Sequence, residues 1–141
     1  MNYFWELLVN GFCGSSIVGW RLRKIIFRMI GIKLESNTAI HRNCYISGKN
    51  LILQSGSYIN RNCILDCTHA SLIIGKNVGI GYNCSFFTTN HDYSNPSKRT
   101  GRVEGKDIII GDGSWIGGGY YHMPRDNNRR RLYYCSWKCS C

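Results

Sequence analysis

Aliphatic residues recur six apart through the middle of the chain. Leu34, Ile40 and Ile46 form one series, Leu53, Ile59 and Leu65 a second, Ile74, Ile80 and Phe86 a third, and Ile110 with Ile116 opens a fourth. Each series begins with an aliphatic-x-aliphatic triplet: Ile32-Lys33-Leu34, Leu51-Ile52-Leu53, Leu72-Ile73-Ile74 and Ile108-Ile109-Ile110. The triplets end 19, 21 and 36 residues apart. A period of six is neither the 3.6 of a helix nor the 2 of a half-buried strand. It fits a three-sided prism whose faces are short parallel strands, with the aliphatic at each hexad start pointing to the axis and stacked coils sharing one apolar column. The pattern predicts an all-β fold, a parallel β-helix of about four coils over residues 32–119.

Before residue 32 the period is helical. Trp5, Leu8, Val9 and Phe12 share one stripe, and Leu22, Ile25, Ile26 and Met29 share another, with Gly11, Gly14 and Gly19 between them. Residues 1–31 are read as an amphipathic helical segment, its second stripe flanked by Arg21, Arg23, Lys24 and Arg28. Two uses fit: a packing helix that caps the β-helix, or an interfacial helix that gives peripheral membrane contact through residues 2–31. The start carries Glu6 and lacks both a basic leader and a small-residue cleavage site, so it does not read as a signal peptide. No run of about 18 uncharged apolar residues is present to span a bilayer.

Composition adds limits. A length of 141 residues at 43% hydrophobic suits one domain. The net charge of +10 suggests nucleic acid, but five of the 18 basic side chains lie in the last 22 residues and no nucleic-acid motif is present, so no nucleic-acid partner is expected. A basic balance also suits a phosphorylated co-substrate or an anionic membrane. Among the eight cysteines, Cys44, Cys63 and Cys84 each follow Asn and occupy one repeated slot that takes a small apolar side chain. They point to a reduced, cytoplasmic protein, peripheral at the inner face of the membrane if the N-terminal segment docks there, rather than to a disulfide framework.

The third series runs into His91 and a polar loop, residues 92–107, which contains Pro96, cannot continue the coil and should project outward. The motifs around it are Ile-Gly-Lys-Asn-Val-Gly-Ile-Gly-Tyr-Asn-Cys (residues 74–84), Thr-Asn-His (89–91) and Ile-Gly-Asp-Gly-Ser-Trp-Ile-Gly-Gly-Gly (110–119). In these residues the chain resembles the hexapeptide-repeat acyltransferases, over residues 21–119, and in particular the maltose and galactoside O-acetyltransferase branch with its relatives in polysaccharide gene clusters. The resemblance implies left-handed winding, a homotrimer, acetyl-CoA as co-substrate with no permanently bound cofactor, and a sugar or oligosaccharide acceptor. It makes His91 the general base, a role that suits histidine because its neutral ring accepts a proton near neutral pH. It places Asn60 and Asp66 on the acceptor sugar, Trp115 in the cleft wall, and Gly117 and Gly118 beside the pantetheine arm. Corner hydrogen bonding is the plainer role for an Asn at position 60, and a solvated loop face the plainer one for Lys98, Arg99 and Arg102, which could otherwise meet CoA phosphates. Zinc chemistry of the carbonic anhydrase kind is not expected, because Pro96 stands where the histidine partner of His91 would fall, so no metal site is assigned.

After Gly119 the hexads stop. Residues 120–141 form a basic, Cys-rich tail with almost no aliphatics, foreign to the rest of the chain. Read one base later, codons for this tail can restore aliphatic hexads, a Pro-Gly corner, Ile-Gly-Asp and a final Ala-Gly-Ser-Val-Val; Met123-Pro124 then forces Cys and Trp137-Lys138 forces Gly. The tail is therefore expected to be out of frame, leaving an O-acetyltransferase without its last coils, active or inactive in this form, with a non-catalytic truncated β-helix remnant or a membrane-surface structural module as the alternatives. The nucleotide sequence from the Tyr120 codon should permit the aliphatic frame; codons that cannot spell it dispose of the idea.

Overall fold

The computed structural model describes residues 3–122. A first helix, α1 (Tyr3–Trp5), runs on into a π-helical segment (Glu6–Phe12), and α2 (Trp20–Met29) follows. Fourteen short strands come next among the described residues. Twelve of them form three parallel four-stranded sheets, one strand per face per coil. The first coil holds β1 (Lys33–Leu34), β2 (Ala39–Ile40) and β3 (Tyr45–Ser47); the second β4 (Leu51–Leu53), β5 (Tyr58–Ile59) and β6 (Ile64–Asp66). The third holds β7 (Leu72–Ile74), β8 (Gly79–Ile80) and β9 (Ser85–Phe87), and the fourth β12 (Ile108–Ile110), β13 (Trp115–Ile116) and β14 (Tyr121–His122). The remaining pair, β10 (Thr89–His91) and β11 (Val103–Gly105), is antiparallel.

The strand register stacks the hexad leaders. Leu34, Leu53, Ile74 and Ile110 pair in one column and Ile40, Ile59, Ile80 and Ile116 in a second. Ile46, Leu65, Phe86 and His122 make the third. All are buried except His122. Parallel strands about 4.8 Å apart bring like side chains into contact along a column, so each coil extends the same apolar core.

The corners explain the Asn-Cys repeats. The backbone enters the left-handed region at Asn37, Gly56, Asn77 and Gly113 on one corner and at Asn43, Asn62, Asn83 and Gly119 on the next, positions where Gly and Asn cost least. The following residue turns inward. Cys44, Cys63 and Cys84 fill that slot as buried free thiols, donating to the carbonyls of Asn60 (3.0 Å), Gly81 (3.3 Å) and Gly117 (3.2 Å) one coil up. Burial and the neighbouring thiol push Cys63 up to about 12, the Cys44 hydrogen bond being the largest cause. In the fourth coil the slot holds Tyr120, a large ring half-buried against Phe86. The strand ladder thus continues to His122, three residues past the end of the hexad pattern, because pairing uses backbone only; the side chains there, Tyr120 and His122, do not suit their inner positions. The rest of the tail, residues 123–141, lies outside the described residues.

The helical segment covers the open edge of the first coil, packing Val9, Cys13 and Phe27 into the core and adding polar contacts. Trp5 Nε1 donates to Ile46 O (2.8 Å), and Asn10 accepts from Ile46 N (2.8 Å). Arg23 donates to Ile40 O (2.9 Å), Ser15 O, Val18 O and Cys13 O. Arg28 donates to Leu34 O (2.6 Å). Each of the three faces of the first coil therefore has its hexad-leader carbonyl taken by a side chain from the helices. Gly14, where a Cβ would fall 2.2 Å from Asn10 O, brings its own carbonyl onto Asn43 N at 2.8 Å. The second helical stripe is turned differently from the expectation of a packing face. Arg23 and Phe27 point inward, Ile26 and Ile30 are half-buried, and Leu22, Ile25 and Met29 face out. The carbonyls of the first coil need donors, and arginine supplies several at once where an apolar stripe supplies none.

Arg23→Met should lower stability by on the order of 3 kcal/mol or more in urea denaturation, since four carbonyls lose a charged donor together. Gly81→Ala should destabilise strongly as well: its Cβ would sit 2.6 Å from Gly118 N, a backbone atom that cannot swing away. A melting temperature unchanged by either substitution would contradict this account of the stack.

Candidate active site

Thr88 closes the third coil, and the chain then leaves the prism as the β10–β11 hairpin. Thr89 pairs with Gly105, Asn90 with Glu104 and His91 with Val103. Segment 92–107, expected as a projecting loop, does project, but its return arm is a strand. The hairpin can root here because Gly105 packs against the loop below: a Cβ would fall 2.7 Å from His69 O.

His91 sits at the end of β10, exposed to solvent. Its Nδ1 lies 3.1 Å from the carbonyl of Gly101. A carbonyl only accepts, so in the neutral ring Nδ1 carries the hydrogen and Nε2 is left as the acceptor. The carbonyl is held in place by backbone pairing: Gly101 N donates to Asp92 O (2.9 Å) and Asp92 N to Arg102 O (2.8 Å). Gly101 permits this approach, since a Cβ would meet Asp92 O at 2.4 Å. Around His91 lies a cleft of about 260 Å³ lined by Asn90, Asp92, Tyr93, Ser94, Glu104 and Lys106 among others. Asp92 is held below the ordinary carboxylate range by the amide and hydroxyl of Ser94, with Arg102 adding to the effect.

The other site residues read from sequence lie on the surface that runs from the second face, around a corner, to the third. Trp115 is on the second face, fourth coil; its ring lies over Gly79, where a Cβ would fall 2.7 Å from Cε3. Asn60 and Gly117 occupy the same corner position two coils apart, paired respectively to Ile80 and, through its carbonyl, to the Cys84 thiol. Asn60 Nδ2 also donates to Ile80 O at 3.1 Å, the corner bond expected as its plainer role. At Gly117 open space lies where a Cβ would go, while at Gly118 a Cβ would fall 3.1 Å from Tyr82 O. Asp66 ends the third face of the second coil. Burial alone would raise its carboxyl, but hydrogen bonds from Thr89, Thr68 and Ser47 outweigh it and leave Asp66 below its usual range. None of Asn60, Asp66, Trp115, Gly117 and Gly118 lines the His91 cleft. Asp66 comes nearest by connectivity, through Thr89, which also meets His69 Nδ1 at 3.3 Å.

Sequence reasoning passed over Gly101, Glu104, Lys106, Thr89 and His69. A hairpin pairing of 89–91 with 103–105 would have flagged the first three, but the arms are short and polar and carry no alternation to show it. Lys98 and Arg99 are exposed, and Arg102 pairs with Glu104 at 3.5 Å on the hairpin surface.

No family profile matches the chain. Over 78 residues it is 35% identical to Nodulation protein L of Rhizobium leguminosarum bv. viciae, a stretch that is 55% of this chain and 40% of that protein. Over 78 residues it is 33% identical to a protein of Dictyostelium discoideum named as a candidate acetyltransferase, again 55% of this chain and 40% of the relative. The chain thus spans about two fifths of the length of these relatives. Among solved structures, a hexapeptide-repeat-containing acetyltransferase from Vibrio cholerae superposes with a TM-score of 0.70 at 24% identity, over 81% of this chain and 64% of that one. That likeness establishes the fold, a left-handed parallel β-helix. Relatives and fold agree: the chain is similar in sequence to a candidate acetyltransferase over 78 residues and shares the fold of a hexapeptide-repeat-containing acetyltransferase.

Proposed function

We propose that the chain is an O-acetyltransferase that moves an acetyl group from acetyl-CoA to a hydroxyl of a sugar or polysaccharide precursor. The observation that carries this reading is the His91 ring, anchored through Nδ1 on the Gly101 carbonyl at the tip of β10, with Nε2 as the acceptor. The names of the Vibrio cholerae and Dictyostelium discoideum proteins support acetyl as the transferred group.

In this mechanism Nε2 takes the proton of the acceptor hydroxyl as its oxygen attacks the thioester carbonyl carbon. The tetrahedral intermediate collapses with cleavage of the C–S bond, and the imidazolium returns the proton to the departing sulfur. The products are the acetyl ester and free CoA thiol. Nδ1 keeps its hydrogen throughout, and the Gly101 carbonyl steadies the imidazolium that forms between the two proton transfers. Asn60 and Asp66 are assigned to the acceptor, Trp115 to the wall of the cleft, and Gly117 and Gly118 to the passage of the pantetheine arm. Because none of them lines the His91 cleft of their own chain, the complete site in this reading lies between subunits of a homotrimer. One copy brings His91, and its neighbour brings the surface between the second and third faces.

Purified full-length protein incubated with acetyl-CoA and a panel of oligosaccharides should release thiol, with His91→Ala lowering kcat by about 10²–10⁴-fold. Gly101→Ala, whose Cβ would displace the Asp92 carbonyl, should lower kcat while leaving the melting temperature of the β-helix nearly unchanged. Full activity in His91→Ala would refute the mechanism. Absence of thiol release with every acceptor would favour the non-catalytic remnant.

A further inference from the structure

We infer that α2 docks the protein on an anionic phospholipid surface. At 100° per residue, the inward residues Arg23, Ile26, Phe27 and Ile30 occupy one side of α2. The outward side divides into two adjacent strips. Leu22, Ile25 and Met29 form one and are 50%, 55% and 80% exposed. Arg21 and half-buried Lys24 form the other, with exposed Arg28 beside them, its Nε bonded to Leu34 O. Exposed Ile17 precedes the helix, and Trp20 stands at its start with the Arg21 guanidinium 5.2 Å from its ring centroid. Isolated exposed aliphatics mean little, but a contiguous apolar strip beside a basic one marks a contact surface.

Charge selects the occupant. Helix α2 contains no acidic residue, and among the described residues the only ion pair is Arg102–Glu104 on the distant hairpin. The nearest carboxylates in sequence are engaged elsewhere: Glu6 accepts from Asn10 and Tyr45, and Glu35 from Ser55. A second copy laid on this face by two-fold symmetry would bring two basic strips together without an offsetting charge. A bilayer surface with anionic headgroups meets both strips. The aliphatics enter the acyl boundary, the cations lie among the phosphates, and Trp20 takes the interfacial level that tryptophan favours. Helix α2 is already held to the first coil by the bonds of Arg23, on its inward side, and of Arg28, at the edge of its outward side, so the helix arrives folded and pays little ordering entropy on binding. The His91 hairpin leaves the third coil, about 10 Å up the stack from the docked end.

The test is sedimentation of the full-length protein with vesicles of phosphatidylcholine alone and of phosphatidylcholine mixed with phosphatidylglycerol. Binding to the mixed vesicles is expected, weakened at least about tenfold by the Arg21→Glu/Lys24→Glu double variant and also by Leu22→Ser/Ile25→Ser. Both variants leave the Arg23 and Arg28 bonds to the first coil in place and should melt as the wild type does. Equal binding to the neutral vesicles, no binding to either, or unchanged binding by both variants would overturn the assignment. A loss of oligomer in the serine variant without a change in vesicle binding would overturn it in favour of a protein partner. Acetyl transfer is not needed for any of these readouts.

Discussion

A stack of parallel coils has two ends, and each end presents a row of backbone groups with no strand to pair with. This constraint shapes the lower half of the molecule. The carbonyls of Leu34, Ile40 and Ile46 would face solvent or an apolar helix; they are taken by Arg28, Arg23, and Trp5 with Asn10. The buried guanidinium of Arg23 is the centre of the arrangement, since it also gathers the carbonyls that end the helical segment at Cys13, Ser15 and Val18. Burial lowers its proton affinity, yet it remains a strong donor surrounded by acceptors. With the edge closed in this way, the first coil becomes a template on which the others pair.

The scaffold then sets where chemistry can occur. A side chain on a face repeats its direction in every coil, so a β-helix offers regular surfaces and few concave ones. The hairpin at Thr89 breaks that regularity. It carries His91 away from the flat third face, and its backbone pairing supplies the Gly101 carbonyl that selects the tautomer of the ring. The same root ties Asp66, Thr89 and His69 into one polar cluster under the hairpin. Trp115 and Gly117 belong to the coil above, and their place on the second face and its corner follows from the 36-residue step that carries the hairpin as an insertion in the repeat.

Much of the fold was legible because a β-helix repeats. Four aligned hexad series identify the inward columns residue by residue, and the Cys44, Cys63 and Cys84 slot can be read from its recurrence. Tyr120 and His122 show the converse: where the repeat fails, side chains unsuited to the interior enter positions that the backbone ladder still provides. The helical segment was less legible. The segment packs on the β-helix as its stripes suggested, through Val9, Phe27, Ile26 and Ile30, but the first coil also required hydrogen-bond donors, and no pattern within the helix reveals what the far end of the contact lacks. Trp5 and Asn10 reach Ile46, about forty residues away, and nothing local to either stretch signals it.

The candidate site divides along the same line. The sequence by itself determined the repeat, the inward columns, the corner residues and the lone histidine that follows the third coil, because each is a local preference repeated in register. Only the tertiary structure decided which nitrogen of His91 is the acceptor, that Gly101, Glu104 and Lys106 gather around it, that Asn60, Asp66, Trp115, Gly117 and Gly118 lie outside its cleft, and that Leu22, Ile25 and Met29 face outward. Those outcomes depend on antiparallel pairing across a loop and on unsatisfied carbonyls at an open edge. Both are long-range conditions that exist only once the coils are stacked.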